Sequence, residues 1–268
     1  MNMFLILLAA GNSKRLKSIT PKPFQIVNNK TLLEHSIDAF KEFNEIKKTV
    51  IVYNKMHKKK LGKLKLKDTI KIVGGKTRQE STFLALKKLS SMKCSKVLIH
   101  DAARPNPSKK LIKKIISCLK IHDAVVPVLK ATDATKRIQK SFIFKNIRRN
   151  SLRFAQTPQG FNFKKIYKKH IKNIKTSIDD DSALFTNDNE KIFTVPGSKA
   201  NLKITDKEDI DIFEKFKTKN IYFGLGFDVH RLVSKKKLYL GGIKIKSRLG
   251  TLGHSDGDPV LHAIIDAT

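Results

Sequence analysis

Met3-Phe-Leu-Ile-Leu-Leu-Ala-Ala-Gly-Asn-Ser-Lys-Arg-Leu16 decides the fold. Phe4 to Leu8 is an unbroken apolar run, which fits a strand buried on both faces, as in a parallel sheet. The run ends at Ala9-Ala10-Gly11, where the glycine permits a tight turn and small residues let a ligand approach the backbone. Backbone N–H groups in such a turn can bind phosphate oxygens. Arg15 follows in the turn and Lys22 a little later, adding a forked and a compact cation suited to phosphate. The glycines of a Walker A loop or a GxGxxG fingerprint are missing.

Working outward, Leu32 to Phe43 carries apolar residues at helical spacing. Thr49–Tyr53, Thr69–Val73, Lys96–His100 and Asp123–Pro127 read as strands, and Glu80–Leu89 and Lys109–Lys120 as helices. Such alternation predicts an α/β fold: a Rossmann-like, mostly parallel sheet with helices on both faces. Polar clusters at residues 9–22, 74–81 and 101–105 fall at the strands' carboxyl ends, where such sheets bind ligands. Lys130 to Phe154 breaks the rhythm and is expected to be a protruding β-arm. Helix Phe163–Ile174, strand Lys191–Val195 and helix Asp206–Phe216 resume it. A polar linker at Lys217–Asn220 sets a boundary between domains at 1–218 and 219–268. Beyond it come a strand at Ile221–Phe227, a hairpin at Leu238–Ile243 and a helix at Asp258–Thr268, read as a fragment of an α+β domain.

The 268 residues include 56 Lys and Arg against 23 Asp and Glu, a net charge of +33. The cations are scattered, and no aromatic RNA-binding signature or zinc-finger spacing accompanies them, so no specific nucleic-acid partner is expected. A basic surface would still attract a polyanionic substrate. Cys94 and Cys118 form no CxxC pair and read as core thiols of a reducing compartment. No stretch has the form of a signal peptide or a membrane span, which reads as a cytoplasmic protein.

AAGNSKRL (9–16), Pro21-Lys-Pro-Phe24 and Leu33-Glu-His-Ser36 resemble the nucleotidyltransferases that activate sugar phosphates. Gly74-Gly-Lys-Thr-Arg-Gln-Glu-Ser81, His100-Asp-Ala-Ala-Arg-Pro105, Arg149-Asn150, Gln156-Thr-Pro-Gln-Gly-Phe161 and Asn201-Leu-Lys-Ile-Thr205 narrow the likeness. Together they resemble the 2-C-methyl-D-erythritol 4-phosphate cytidylyltransferases, in order, over residues 3 to about 217. The resemblance implies CMP transfer from CTP to methylerythritol phosphate with magnesium. It implies that Arg15 and Lys22 hold the triphosphate, and that Ala9, Ala10 and Gly11 meet the nucleotide through backbone. Gly75, Arg78 and Ser81 bound the cytosine pocket, and Asp101, with Ala102 beside it, lies near the ribose and the magnesium-bound phosphates. Arg104, Thr135, Arg149 and Lys203 surround methylerythritol phosphate. It further implies a homodimer in which the arm, roughly Lys130–Arg153, reaches a neighbour's site. Two departures stand out: Ile178 before Asp179-Asp180, where the family often has Thr, and Arg153, where an aromatic residue is common.

Asp228 and His230 are two apart near a strand end and leave the same face. Asp258 and His262 are four apart and share a helical face. Two His and one Asp with an open fourth position suit a catalytic zinc. Gly226-Phe-Asp-Val-His230, His254-Ser-Asp-Gly-Asp258 and Leu261-His262 are similar to the beginning of 2-C-methyl-D-erythritol 2,4-cyclodiphosphate synthase. That likeness implies Asp228, His230 and His262 as zinc ligands, His254 and Ser255 at the substrate diphosphate, and Asp258 at the erythritol part. Pro259 stands where a small aliphatic residue is usual. The family works as a trimer, and a segment covering only the start of it is expected to be poorly folded or inactive alone. A ribitol phosphate cytidylyltransferase, a basic nucleic-acid binder and a decayed fusion stay open as alternatives.

Overall fold

Side chains of a strand alternate between faces, and the first strand, β1 (Met3–Ala9), sends them into two separate cores. Met3, Leu5, Leu7 and Ala9 join one apolar cluster; Phe4 and Ile6 join the other. A strand covered on both faces has no solvent side to populate with polar residues, which is why the run is unbroken.

A computed structural model describes residues 2–11, 18, 20–66, 68–174, 176–186, 188, 190–217, 224–253 and 257–267. After β1 come β2 (Ile26–Val27), β3 (Lys30–Thr31), α1 (Leu32–Asp38), β4 (Ile46–Tyr53), α2 (Lys58–Gly62), β5 (Thr69–Val73) and α3 (Arg78–Leu89). Next are β6 (Lys96–Asp101), α4 (Lys109–Cys118), β7 (Ala124–Lys130), β8 (Thr135–Gln139), β9 (Phe142–Ile147), β10 (Arg153–Ala155) and β11 (Gln159–Asn162). α5 (Phe163–Lys172), α6 (Ala183–Thr186), β12 (Phe193–Pro196) and α7 (Lys207–Lys217) follow.

The main sheet runs β10-β7-β11-β6-β1-β4-β5, with β12 also paired to β7. β6, β1, β4 and β5 are mutually parallel; β11 runs against both β6 and β7. The α/β fold expected from the alternation is therefore present. Leu33 of α1 and Leu111, Ile112 and Ile115 of α4 fill one core, while Ala85 and Leu86 of α3 and Ile166 of α5 fill the other. Each such buried Leu or Ile side chain contributes ~1.5–3 kcal/mol. β8 and β9 pair only with each other, as an arm outside the main sheet. Its Phe142, Ile143 and Phe144 are exposed.

The helix expected over Leu32–Phe43 ends at Asp38. Thr31 and Glu34 form a capping box at its start, but beyond Ala39 the chain continues in turns, with the Phe40, Lys41 and Phe43 N–H groups bonding three residues back. Phe40 and Phe43 still reach the core from those turns.

Two compact units divide the chain, residues 1–217 and 218–268. The second holds β13 (Arg231–Ser234), β14 (Leu238–Leu240), β15 (Ile243–Ile245), β16 (Leu249–Leu252) and α8 (Pro259–Asp266). β14 and β15 form the expected hairpin. Gly241 and Gly242, at φ of +62° and +77°, supply the left-handed pair its two-residue turn requires. The expected strand at Ile221–Phe227 needs correction: the described part, 224–227, is not a strand. There the backbone of Gly224 and Gly226 lies against the carbonyls of Ala267 and Ala263, so it packs on a helix instead of joining a ladder. Residues 221–223 lie outside the described residues.

Candidate active site

The parallel strands β1, β4, β5 and β6 end together, with Leu8 level with Val52 and Asp101, and Tyr53 level with Val73. Beyond these ends lies a cleft of about 800 Å³. Ala9, Ala10 and Gly11 form one wall, and Gly74, Gly75, Arg78 and Ser81 another. Lys22 enters from a short 3-10 turn that begins with it and is fixed by the buried Pro23 and Phe24. Lys203 and Asp101 complete the site. The lining cations are Lys22, Lys55, Lys76, Arg78 and Lys203, against the acids Glu80 and Asp101. The wall of small residues is tightly built. A Cβ on Gly74 would lie 2.5 Å from Ala10 Cβ and 2.8 Å from Ser81 Oγ. Ser81 is itself buried, and its Oγ accepts the Gly75 N–H at 3.1 Å.

Asp101 divides its carboxylate between two cations. Oδ1 accepts from Arg78 Nε at 3.3 Å, and Oδ2 lies 2.9 Å from Lys203 Nζ. Burial alone would raise its pKa, but Arg78 and then Lys203 outweigh that and hold it well below the usual carboxylate range. Arg78 is also paired to the fully buried Asp181, Nη1 to Oδ2 at 2.7 Å. Burial opposes its charge, yet Asp181 and Asp101 keep it firmly protonated.

Behind the cleft, the motifs at 100–105, 156–161 and 201–205 prove to be one hydrogen-bonded unit. His100 is completely buried, which pushes its pKa down to about 4 and leaves the ring neutral. Nε2–H donates to the Arg104 carbonyl at 2.8 Å, so Nδ1 accepts from the Thr157 hydroxyl at 3.0 Å. That hydroxyl oxygen in turn accepts the Asp101 N–H at 3.1 Å. Asn201 donates to the Thr157 carbonyl at 2.8 Å, and its own carbonyl accepts from Arg104 Nη1 at 2.8 Å. Ile204 N–H bonds the Ala103 carbonyl at 2.8 Å. The segment carrying Lys203 is thus bolted to the segment carrying Asp101. Ser36 of α1 ties in from the other side, donating to the Ala102 carbonyl at 3.1 Å.

Of the residues singled out in the sequence, Ala9, Ala10, Gly11, Lys22, Gly75, Arg78, Ser81, Asp101 and Lys203 share this cleft. Ala102 is buried beneath it, and Arg104 is turned to Asn201. Thr135 and Arg149 sit on or beside the arm and do not line the cleft of their own chain; Arg149 donates to the Thr132 carbonyl at 2.8 Å. Arg15 lies outside the described residues. Ile178 packs against the second core cluster, and Arg153 donates to the Asn150 and Leu152 carbonyls. Asp181 and His170 were not singled out, although both are fully buried and 3.1 Å apart. Their signals were a third Asp after Asp179-Asp180 and a histidine on the apolar face of α5 with Phe163 and Ile166.

In the second unit, Asp228, His230 and His262 bring ligand atoms within 4.8 Å of one another. Asp228 Oδ2 lies 2.9 Å from His262 Nδ1 and 3.2 Å from His230 Nδ1. The latter nitrogen is buried without a hydrogen-bond partner. An oxygen and two imidazole nitrogens, one of them orphaned, are a donor set that fits a divalent cation. Asp258 does not share a helical face with His262, because it caps α8 from outside. Oδ1 accepts from Gly241, Val260 and Leu261 N–H and Oδ2 from Gly242 N–H, at 2.7–3.2 Å. Burial would raise its pKa, but those backbone donors hold it below the ordinary value. Its carboxylate clamps the helix to the hairpin turn. His254 and Ser255 lie outside the described residues.

Both parts of the chain match known families. The family model for 2-C-methyl-D-erythritol 4-phosphate cytidylyltransferase, IspD, matches residues 3–218, and that for the YgbB family matches residues 221–268. A bifunctional enzyme IspD/IspF of Pelagibacter ubique is 48% identical over the whole chain, which spans 70% of that protein. The bifunctional IspDF structure of Campylobacter jejuni aligns with 100% of this chain and 69% of its own, at 31% identity and a TM-score of 0.69. The 4-diphosphocytidyl-2C-methyl-D-erythritol synthase structure of Anaerococcus prevotii covers 80% of this chain and 97% of its own, at 30% identity and a TM-score of 0.69. The chain belongs to the 2-C-methyl-D-erythritol 4-phosphate cytidylyltransferase family, with part of a YgbB-family domain joined after it.

Proposed function

We propose that residues 1–218 form a domain that transfers CMP from CTP to 2-C-methyl-D-erythritol 4-phosphate, using the cleft at the sheet's carboxyl edge. A phosphate oxygen of the acceptor bonds to the α-phosphorus of CTP, and the bond from that phosphorus to the β-phosphate bridge breaks, releasing pyrophosphate. The nucleophile is already an anion, so a strong base is unnecessary. The difficulty is bringing two polyanions into line, and this calls for fixed cations and positioning. The supporting observation is the set of Lys22, Lys203 and Arg78 around one cleft, with Asp101 holding the latter two in place.

Lys22 and Arg15 hold the triphosphate in this reading. The Ala9–Gly11 backbone, Gly75 and Ser81 frame the base. Lys203 and Arg104 serve the acceptor, joined by Thr135 and Arg149 from the arm of a second copy in a homodimer. Magnesium, when bound, would supply charge neutralisation at the phosphates. Both Asp101 oxygens are engaged by Arg78 and Lys203, so Asp101 would stand beside the magnesium-bound phosphates and orient those cations. A cytoplasmic location belongs to this reading. Among the described residues no helix is long and apolar enough to cross a membrane.

Residues 219–268 are proposed as part of a cyclodiphosphate synthase domain, with Asp228, His230 and His262 as ligands of zinc or another divalent cation. His254, Ser255 and Asp258 belong to its substrate side, and the intact domain is a trimer. In the bifunctional protein this domain forms 2-C-methyl-D-erythritol 2,4-cyclodiphosphate and releases CMP.

Incubation with CTP, magnesium and either methylerythritol phosphate or ribitol phosphate tests the transferase. Pyrophosphate release with the first acceptor and little with the second is expected. Preference for ribitol phosphate would reject the acceptor.

A further inference from the structure

Arg78 is held from behind as well as from the cleft. Its Nη1 donates to Asp181 Oδ2 at 2.7 Å, and the other Asp181 oxygen lies 3.1 Å from His170 Nε2. Asp181 and His170 are both 0% exposed. On the cleft side, Arg78 Nε reaches Asp101 Oδ1, and the second Asp101 oxygen is beside Lys203. The groups form a single file: His170, Asp181, Arg78, Asp101, Lys203. It starts inside the core packed by α5 and ends at a cation facing the cleft.

We propose that Asp181, steadied by His170, is a positioning residue for cytidylyl transfer: it pins Arg78 so that Arg78 orients Asp101, and Asp101 orients Lys203. The inference rests on the function proposed above. Asp181 is fully buried, so its charge needs close partners, and Arg78 and His170 supply them. The geometry offers a specific return. An arginine anchored only by Asp101 is free to rotate into a two-pronged pair with it, taking the oxygen that Lys203 now uses. With Nη1 committed to Asp181, Arg78 meets Asp101 through Nε alone, and the second oxygen stays with Lys203. Asp181 exerts the larger electrostatic pull on Arg78 of the two acids. His170 lies on α5 and Arg78 begins α3, so the packing of these two helices sets the anchor.

The test compares Asp181→Asn and His170→Gln with the wild type in the full chain. Asn keeps the shape but removes the charge; Gln keeps an N–H donor at similar reach. Asp181→Asn is expected to lower kcat for pyrophosphate release about 10- to 100-fold, since small misplacements near reacting groups cost that much. KM for CTP should change far less. His170→Gln should stay within about threefold of wild type. In an Arg78→Ala background, Asp181→Asn should have no further effect. A lowered melting temperature with unchanged kcat at 25 °C, or additive losses in the double variant, would overturn the proposal. Hydrogen exchange at the Arg78 Nε–H, followed by ¹⁵N NMR, is read without turnover. Slow exchange in the wild type and fast exchange in Asp181→Asn support the anchor; equal rates refute it. A wild type that exchanges slowly but releases no pyrophosphate would sink the transferase reading while leaving the anchor intact.

Discussion

Asp101 has one carboxylate and two cations to satisfy, and the hydrogen bond from its own N–H to Thr157 keeps its backbone from following either. That bond passes to His100, whose neutral ring is the hinge of the network. The unfolded ring takes up a proton near 6.5 and the buried one only near about 4, so between these values the unfolded chain binds more protons. Acidification from pH 7 therefore erodes stability, by ~3 kcal/mol once pH is below the lower value. Melting curves between pH 7 and 4.5 should show this loss in the wild type and a flatter profile in His100→Gln. Parallel profiles would mean that His100 is protonated as readily in the fold as outside it. Below pH 4 the paired carboxylates Asp101 and Asp181, whose pKa values are lowered by their cations, add their own acid sensitivity.

Elements matter here through how closely their ends meet. β1, β5 and α3 converge at Gly74, where a methyl group would strike Ala10 and Ser81. Gly74→Ala is expected to cost ~1–3 kcal/mol and to raise KM for CTP by displacing the Ala9–Gly11 wall. A denaturation midpoint equal to wild type would contradict that. Much of this was legible in advance. Unbroken apolar runs marked β1, β4 and β6, and clusters of small and basic residues marked the site at their ends. Other features were not legible. The strand expected at Ile221–Phe227 has the right composition, but a strand exists only where another offers a ladder, and its glycines sit on α8 instead. Asp258 and His262 have helical spacing, yet a carboxylate one position outside a helix gains more by capping it. The Asp181–His170 pair was hidden because its partners lie in different elements: His170 shares the apolar face of α5 with Phe163 and Ile166, but nothing in the sequence says that the acid it meets comes from the loop at Asp181.

For the whole molecule, the two units carry different chemistry. The first gathers cations for polyanions, and the second gathers Asp228, His230 and His262 for a cation of its own. Zinc titration of the metal-free full chain should show about one tight equivalent, as a single three-residue site requires. The His230→Ala/His262→Ala double variant should lose it while keeping cytidylyl transfer. Undiminished zinc binding in that variant would place the metal elsewhere.

In the proposed transfer, fixed cations at the sheet's carboxyl edge line up CTP with a sugar-alcohol phosphate. ³¹P NMR of the protein with CTP, magnesium and methylerythritol phosphate tests it most directly. Pyrophosphate and a new diphosphate diester should grow equally, slowed on the order of a hundredfold by Lys22→Ala without loss of fold. CTP left intact by a folded wild-type chain, or a Lys22→Ala chain as fast as wild type, would contradict it.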